Sequence, residues 1–379
     1  MIKKSFIALV TAAICILSLL AGSGTGQAYG LYPKLRWVVL VLFIVFPLIY
    51  ALYHEVVNRG DVLLFVGLVL IIGFWPMYQG YGFSGMEYGF LLLVPFIVGM
   101  YPFSEWDTKV VGLVCGAFGF AVVAANLFFG VFEKWNKNDI AMMAFMGSAV
   151  FAAAPWRPGI ERTWHRVFLI VMAVMVLQLD SRSCFFGIVP LLCLFSFRII
   201  APESMLRNNW LRRFLLFLPA IIAIVTVLFQ NASLFDMLNE FSIRYFGKPI
   251  FNGRNTIWEA GLQNWMDNFW FGTGWIIDGY WHNVAITGLT AFGTIGYSLW
   301  VIYFENIMNK ASCWCQDSVL SGCAAAFLVI MLQQSFELGL ISMTGNMLPY
   351  LLMGIMLGRM RYLEAAQQTT ESKPLSADY

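Results

Sequence analysis

Apolar runs of membrane-spanning length recur along almost the whole chain, and one long polar interval, Gln230 to His282, interrupts them. A helix needs roughly 20 apolar residues to cross a bilayer, and in hydrocarbon each backbone N–H and C=O must be satisfied within its own segment. The runs do not alternate with period two, so they are helices and not barrel strands. Composition agrees: of 379 residues, 60% are hydrophobic and only 12% charged. No soluble domain needs so apolar a surface. The expected fold class is an all-α polytopic membrane protein with about twelve transmembrane helices.

The spans fall at about 5–21, 36–53, 62–77, 88–103, 109–132, 140–155, 163–179, 184–201, 212–229, 283–304, 318–335 and 346–362. Several are short for a full crossing, which allows bent or re-entrant segments. With the N-terminus inside, most of the 23 Lys and Arg residues, Arg157, Arg162, Arg166, Arg198, Arg212 and Arg213 among them, lie on the cytoplasmic side. That is the side the positive-inside rule favours. Arg182, Arg244, Lys248 and Arg254 lie outside, and so does the large loop 230–282 between helices nine and ten.

Residues 1–363 read as one membrane domain, and the polar tail 364–379, which contains Pro374, is expected to be disordered. Met1 to Gly26 also resembles a signal peptide, but the reading taken is an uncleaved first helix. A net charge of +2 gives no argument for a nucleic-acid partner; the bilayer is the partner composition implies. Seven cysteines fall mostly within apolar spans, which disfavours a disulfide framework, and Cys313-Trp314-Cys315 has the wrong spacing for a zinc pair. No internal repeat is visible, which disfavours transporters built from repeated halves.

Three features on the outer side carry chemistry. Arg182 sits in the tight turn Gln178-Leu179-Asp180-Ser181-Arg182-Ser183 between two apolar runs. A charge at the bilayer centre costs about 2.5–3.5 kcal/mol, so a cation this near needs a partner. Asp180, a snorkelled position or an anionic ligand would each serve. In the loop, Asn231 to Glu240 reads as a short amphipathic helix and Thr256 to Met266 as a second, with Arg254 at its start. Helix N-termini favour anions, and a guanidinium fork suits phosphate, although lipid headgroups would satisfy Arg254 equally well. Thirdly, His282 stands where the apolar run resumes, with His54 and His165 on the opposite side. No metal cluster of histidines can form, which leaves proton transfer, ligand binding or a structural role. Asp180, Glu87, Asp236, Glu259, Asp278 and Glu337 are outer carboxylates that could support it, and sequence does not choose among them.

Four segments in order resemble the O-antigen ligase and Wzy-type polymerase superfamily of bacterial surface-polysaccharide assembly. They are Leu179-Asp180-Ser181-Arg182-Ser183, Gly253-Arg254-Asn255-Thr256-Ile257-Trp258, Phe271-Gly272-Thr273-Gly274, and His282-Asn283 with Gly293 and Gly296 beyond. The resemblance covers roughly residues 165–362; the first half is similar only in being helical. It implies a GT-C-like enzyme of the bacterial inner membrane with its active site on the periplasmic side. The donor would be an undecaprenyl-pyrophosphate-linked glycan, transferred with inversion and without metal or cofactor. Arg182 and Arg254 would hold the pyrophosphate, and His282 would orient or deprotonate the acceptor hydroxyl. Arg244, Lys248 and Asn283 would be further substrate contacts, and a flippase and a chain-length regulator would be partners. Trp281 departs from the family pattern, where a small residue is common. The compact loop favours a polymerase over a ligase that must admit lipid A core. A transporter or flippase without covalent chemistry is the alternative from another class, and it predicts more polar residues inside the spans than Asn126 and Gln333.

Overall fold

The computed structural model describes residues 2–22, 74–80, 86–130, 136–179, 181–249, 253–274, 281–337, 340–341 and 346–371. The expected span 36–53 and most of 62–77 lie outside the described residues, as do His54, Asp180, Asp278 and the end of the tail. Among the described residues the structure is helical and contains no strand. In chain order the helices are α1 (Ile2–Gly22), α2 (Trp75–Tyr78), α3 (Met86–Val98), α4 (Glu105–Phe129), α5 (Lys137–Ala153), α6 (Ile160–Leu177) and α7 (Arg182–Leu191). They continue with α8 (Pro202–Arg207), α9 (Asn209–Phe229), α10 (Ser233–Phe246), α11 (Arg254–Asp267), α12 (Val284–Ala311), α13 (Ser318–Gln333) and α14 (Leu348–Glu371).

Three stretches are long and apolar enough to cross a membrane: Glu105–Phe129, Asn209–Phe229 and Val284–Trp314. Their neighbours Phe6–Leu20, Arg182–Ser196 and Ser318–Gln333 are apolar but shorter. The apolar surface is arranged as a membrane protein requires. On α6, Trp164, Val167, Ile170, Val174 and Leu177 are exposed at helical spacing, and on α9 Phe214, Phe217, Ile221, Ile224 and Leu228 are. Such stripes would aggregate in water and are at rest in hydrocarbon.

At the centre lies α13, buried along nearly its whole length and packed against α5, α7, α8, α9 and α14. A helix apolar all round is one with neighbours all round. Asp317 starts it, accepting from the N–H groups of Val319 and Leu320 while its other oxygen holds Arg359 at 2.7 Å. One carboxylate thus caps α13 and ties it to α14.

Two elements add detail to the expected pattern. The tail expected to be disordered from residue 364 stays helical through Glu371. Ala, Gln and Glu dominate that stretch and no Gly or Pro occurs before Pro374, so propensity carries the helix on. The span expected at 283–304 is not one straight crossing. Gly293, with φ 66° and ψ −174°, breaks α12 into two arms. A methyl group built on Gly288 would lie 2.7 Å from the Tyr297 ring. In a straight helix those residues stand about 13 Å apart along the axis, so the arms fold back towards each other.

Candidate functional site

The break in α12 is held open from outside. Thr273 and Gly274 donate backbone N–H bonds to the carbonyls of Thr290 and Ala291, both 2.8 Å. Thr294 and Ile295 donate in return to the carbonyls of Phe269 and Trp270, at 2.8 and 3.1 Å. The segment Phe269–Gly274 therefore supplies the partners that the helix loses at Gly293. Non-helical backbone inside a membrane protein survives only where it is re-satisfied in this way. The approach demands glycine on both sides. A Cβ on Gly272 would meet the Ala291–Gly293 backbone at 2.5 Å, and one on Gly293 would meet Trp270 at 2.3 Å. Both glycines also have positive φ, 68° and 66°. The Phe271-Gly272-Thr273-Gly274 motif and Gly293 are one backbone lock.

Along the near arm of α12 runs α11. Gly253 precedes it in the left-handed region (φ 81°), and Arg254 is its first helical residue. One turn on, Trp258 is fully buried and donates Nε1–H to the carbonyl of Trp281 at 2.6 Å. Gly261 then lets α11 close on Ile286 and Trp281, where a Cβ would come within 2.4 and 2.9 Å. Positions 254, 258 and 261 lie on one helical face, so seating Trp258 also aims Arg254. Trp281, the departure noted in the sequence, receives the bond that fixes the residue before His282.

Arg254 donates Nη1–H to the carbonyl of Phe336 and Nη2–H to Glu337 Oε1 at 3.0 Å. His282 Nδ1 lies 3.4 Å from Glu337 Oε2. Ser183, beside Arg182 at the start of α7, donates Oγ–H to Glu337 Oε1 at 2.8 Å. Three remote segments thus converge on one buried carboxylate. Burial pushes the Glu337 carboxyl up, but the His282 hydrogen bond, the Arg254 and His282 charges and the Ser183 hydrogen bond outweigh it and hold it below the usual range. An ionised Glu337 can bond His282 only if Nδ1 carries a proton. The His282 backbone has φ 48°, an uncommon conformation for a residue other than glycine, and its side chain is about one-third exposed (35%).

Arg182 opens α7 and donates Nη1–H to Ser242 Oγ at 3.3 Å and to the Pro249 carbonyl at 3.0 Å. It stands within electrostatic range of Arg254. Arg254 and His282 therefore meet at one carboxylate, with the Arg182 guanidinium near Arg254, an arrangement suited to polyanionic oxygen ligands. Arg244 and Lys248 are exposed, on α10 and the turn after it, the segment whose Ser242 and Pro249 hold Arg182.

Asn283, expected as a substrate contact, is engaged in structural hydrogen bonds. It is fully buried, and Oδ1 caps α12 by accepting from Ala285 and Ile286 at 2.9 and 3.1 Å. Nδ2 donates to the carbonyls of Pro219 and Ser335, both 2.9 Å. With Val284 N–H on the Gln334 carbonyl, it pins the Gln334–Glu337 stretch to the start of α12. Asn283 positions both His282 and Glu337. The cap was visible in the sequence, as an Asn immediately before an apolar run.

Glu337 and Ser183 are the site residues that sequence reasoning did not single out. Of the other carboxylates considered, Glu259 is engaged by Gln230 at 3.2 Å, on the far side of α11's first turn. Among the described residues no group of three His, Cys, Asp or Glu could hold a metal ion. Comparison with protein-family models and with curated proteins finds no match for this chain.

Proposed function

We propose that this chain is an integral-membrane glycosyltransferase that polymerises a surface polysaccharide. It would take glycan from one polyprenyl-pyrophosphate carrier and join it to a hydroxyl of another lipid-linked repeat unit. The observation that carries the reading is the convergence of Arg254, His282 and the first turn of α7, bearing Arg182 and Ser183, on Glu337. These are the segments whose sequence resembles the polymerase and ligase superfamily. The finer topology belongs to the same proposal: about twelve spans, with the 230–282 loop on the periplasmic face of a bacterial inner membrane.

In this mechanism Arg182 and Arg254 bind the pyrophosphate and stabilise the charge that develops as it leaves. The acceptor oxygen attacks the anomeric carbon as the carbon–phosphate oxygen bond breaks, and the electron pair departs with the pyrophosphate. His282 takes the hydroxyl proton on Nε2, and Glu337 on the other side of the ring steadies the imidazolium. Inversion follows from a single in-line displacement. Placement supports a lipid-borne substrate. Asn283 bonds to Pro219, the midpoint of the apolar helix α9, so the site starts beside a membrane-spanning surface and not on a soluble domain.

The test is incubation of the purified protein with lipid-linked repeat units alone. Longer lipid-linked glycan is the expected product. Product that forms only when a terminal acceptor is added assigns a ligase, and transbilayer movement without a new glycosidic bond assigns a flippase.

A further inference from the structure

At the other end of α6 from Arg182 a cleft opens between the start of α6, the stretch after α7, the start of α8 and the start of α13, with Trp156, Arg162, His165, Phe195, Arg198 and Glu203 among its walls. We propose that this cleft is a phosphate site that takes the headgroup of an anionic membrane lipid.

The charges are gathered without being balanced. Arg162 senses both Arg198 and Arg166, and among the described residues it makes no hydrogen bond or ion pair. Glu203 occupies one edge of Arg198 at 3.1 Å, leaving one carboxylate among three guanidiniums. Deeper in, His165 is 3% exposed and packs against both Phe151 and Trp156, at 5.4 and 5.9 Å between ring centroids. Its Nε2 is buried without a hydrogen-bond partner among the described residues. Arg162, Arg198 and His165 all line this cleft, and two guanidinium forks there suit the oxygens of a phosphate.

The level of the cleft argues for a lipid. Arg162 lies between the exposed Ile160 and Trp164 of α6, and Arg198 lies between the exposed Phe197 and Ile199. Both cations thus sit at the rim of the hydrocarbon zone, where phospholipid headgroups lie. Basic pockets between membrane helices are recognised lipid sites. Leu194 and Phe195 line the same cleft and provide an apolar wall for the start of an acyl chain. The proposal is independent of the glycosyl-transfer reading.

Native mass spectrometry of the full-length protein in detergent tests it, with phosphatidylglycerol, phosphatidylcholine and inorganic phosphate as probes. The wild type should retain phosphatidylglycerol in preference to phosphatidylcholine. The Arg162→Gln/Arg198→Gln double variant should retain it about tenfold less or weaker, while Arg213→Gln, at an exposed arginine outside the cleft, changes little. Thermal melting separates loss of binding from loss of fold. If the double variant does not fold, Arg162→Lys, which keeps charge but loses the fork, should show a partial loss. Equal retention by wild type and folded variants overturns the site. Uptake of inorganic phosphate with no lipid retained overturns the lipid assignment and gives the site a soluble ligand.

Discussion

Two arginine–glutamate clusters flank α12, and they differ in how fully their donors are used. At its far end Arg212 is wholly buried. Nε reaches Glu305, Nη1 the Leu206 carbonyl, and Nη2 Asn209, Asn309 and Glu305. Every guanidinium nitrogen is engaged, and the surplus charge of Arg213 is carried into solvent with its side chain 62% exposed. At the near end, among the described residues, Arg254 engages two nitrogens and Arg182 only Nη1. His282 and Arg254 are both partly exposed. The first cluster is closed and joins α9 to α12. The second has donors to spare and an opening, which is what a ligand site needs and a strut does not.

That contrast is open to breaking. Arg212→Ala should cost the most stability, about 3–5 kcal/mol, because it takes a buried donor from the Leu206 carbonyl, Asn209 and Asn309 at once and leaves Glu305 only the exposed Arg213. The readout is loss of folded protein in a detergent melt. Arg254→Ala should melt closer to wild type, since Ser183 and His282 still partner Glu337. If Arg254→Ala unfolds and Arg212→Ala does not, the two clusters have been assigned the wrong way round.

Gly293→Ala should cost about 3 kcal/mol, through the clash with Trp270 and the positive φ, and protease should then cut between Phe269 and Gly274. Arg254→Lys keeps the charge but loses the planar fork, so transfer should fall about tenfold with little change in melting. The smallest effect is in pH. Glu337 is held below its ordinary value of 4.5, so its stabilising contribution is full above that value and is lost as pH falls through the lower folded value. The melting difference between wild type and Glu337→Gln should therefore be flat from about pH 7 to 5 and shrink only in stronger acid.

Much of this was legible in the sequence. Hydrophobic runs give helices, and the interruption at Gln230–His282 is where the polar chemistry gathers. Arg182, Arg254 and His282 stand out in the sequence because charged and titratable groups are few beside its apolar runs. What the sequence withheld is long-range. Glu337 lies 55 residues from His282 and 154 from Ser183, and such separations leave no periodic trace. Six carboxylates were equivalent until Asn283 was seen to pin the Gln334–Glu337 stretch. The broken α12 was hidden for the same reason. Gly293 alone would only weaken a helix; it becomes a break because Phe269–Gly274 supplies the missing backbone partners. Asn283 stands immediately before an apolar run, the position of a helix cap, and caps α12 there.

The most direct measurement is the initial rate of glycan extension by purified wild type, Arg254→Ala and His282→Ala on lipid-linked repeat units, each normalised to folded protein. Wild type should lengthen the lipid-linked glycan, and both variants should lose that activity by at least about a hundredfold while inserting and melting as membrane proteins. Glycan of normal length made at normal rate by both variants would contradict the account.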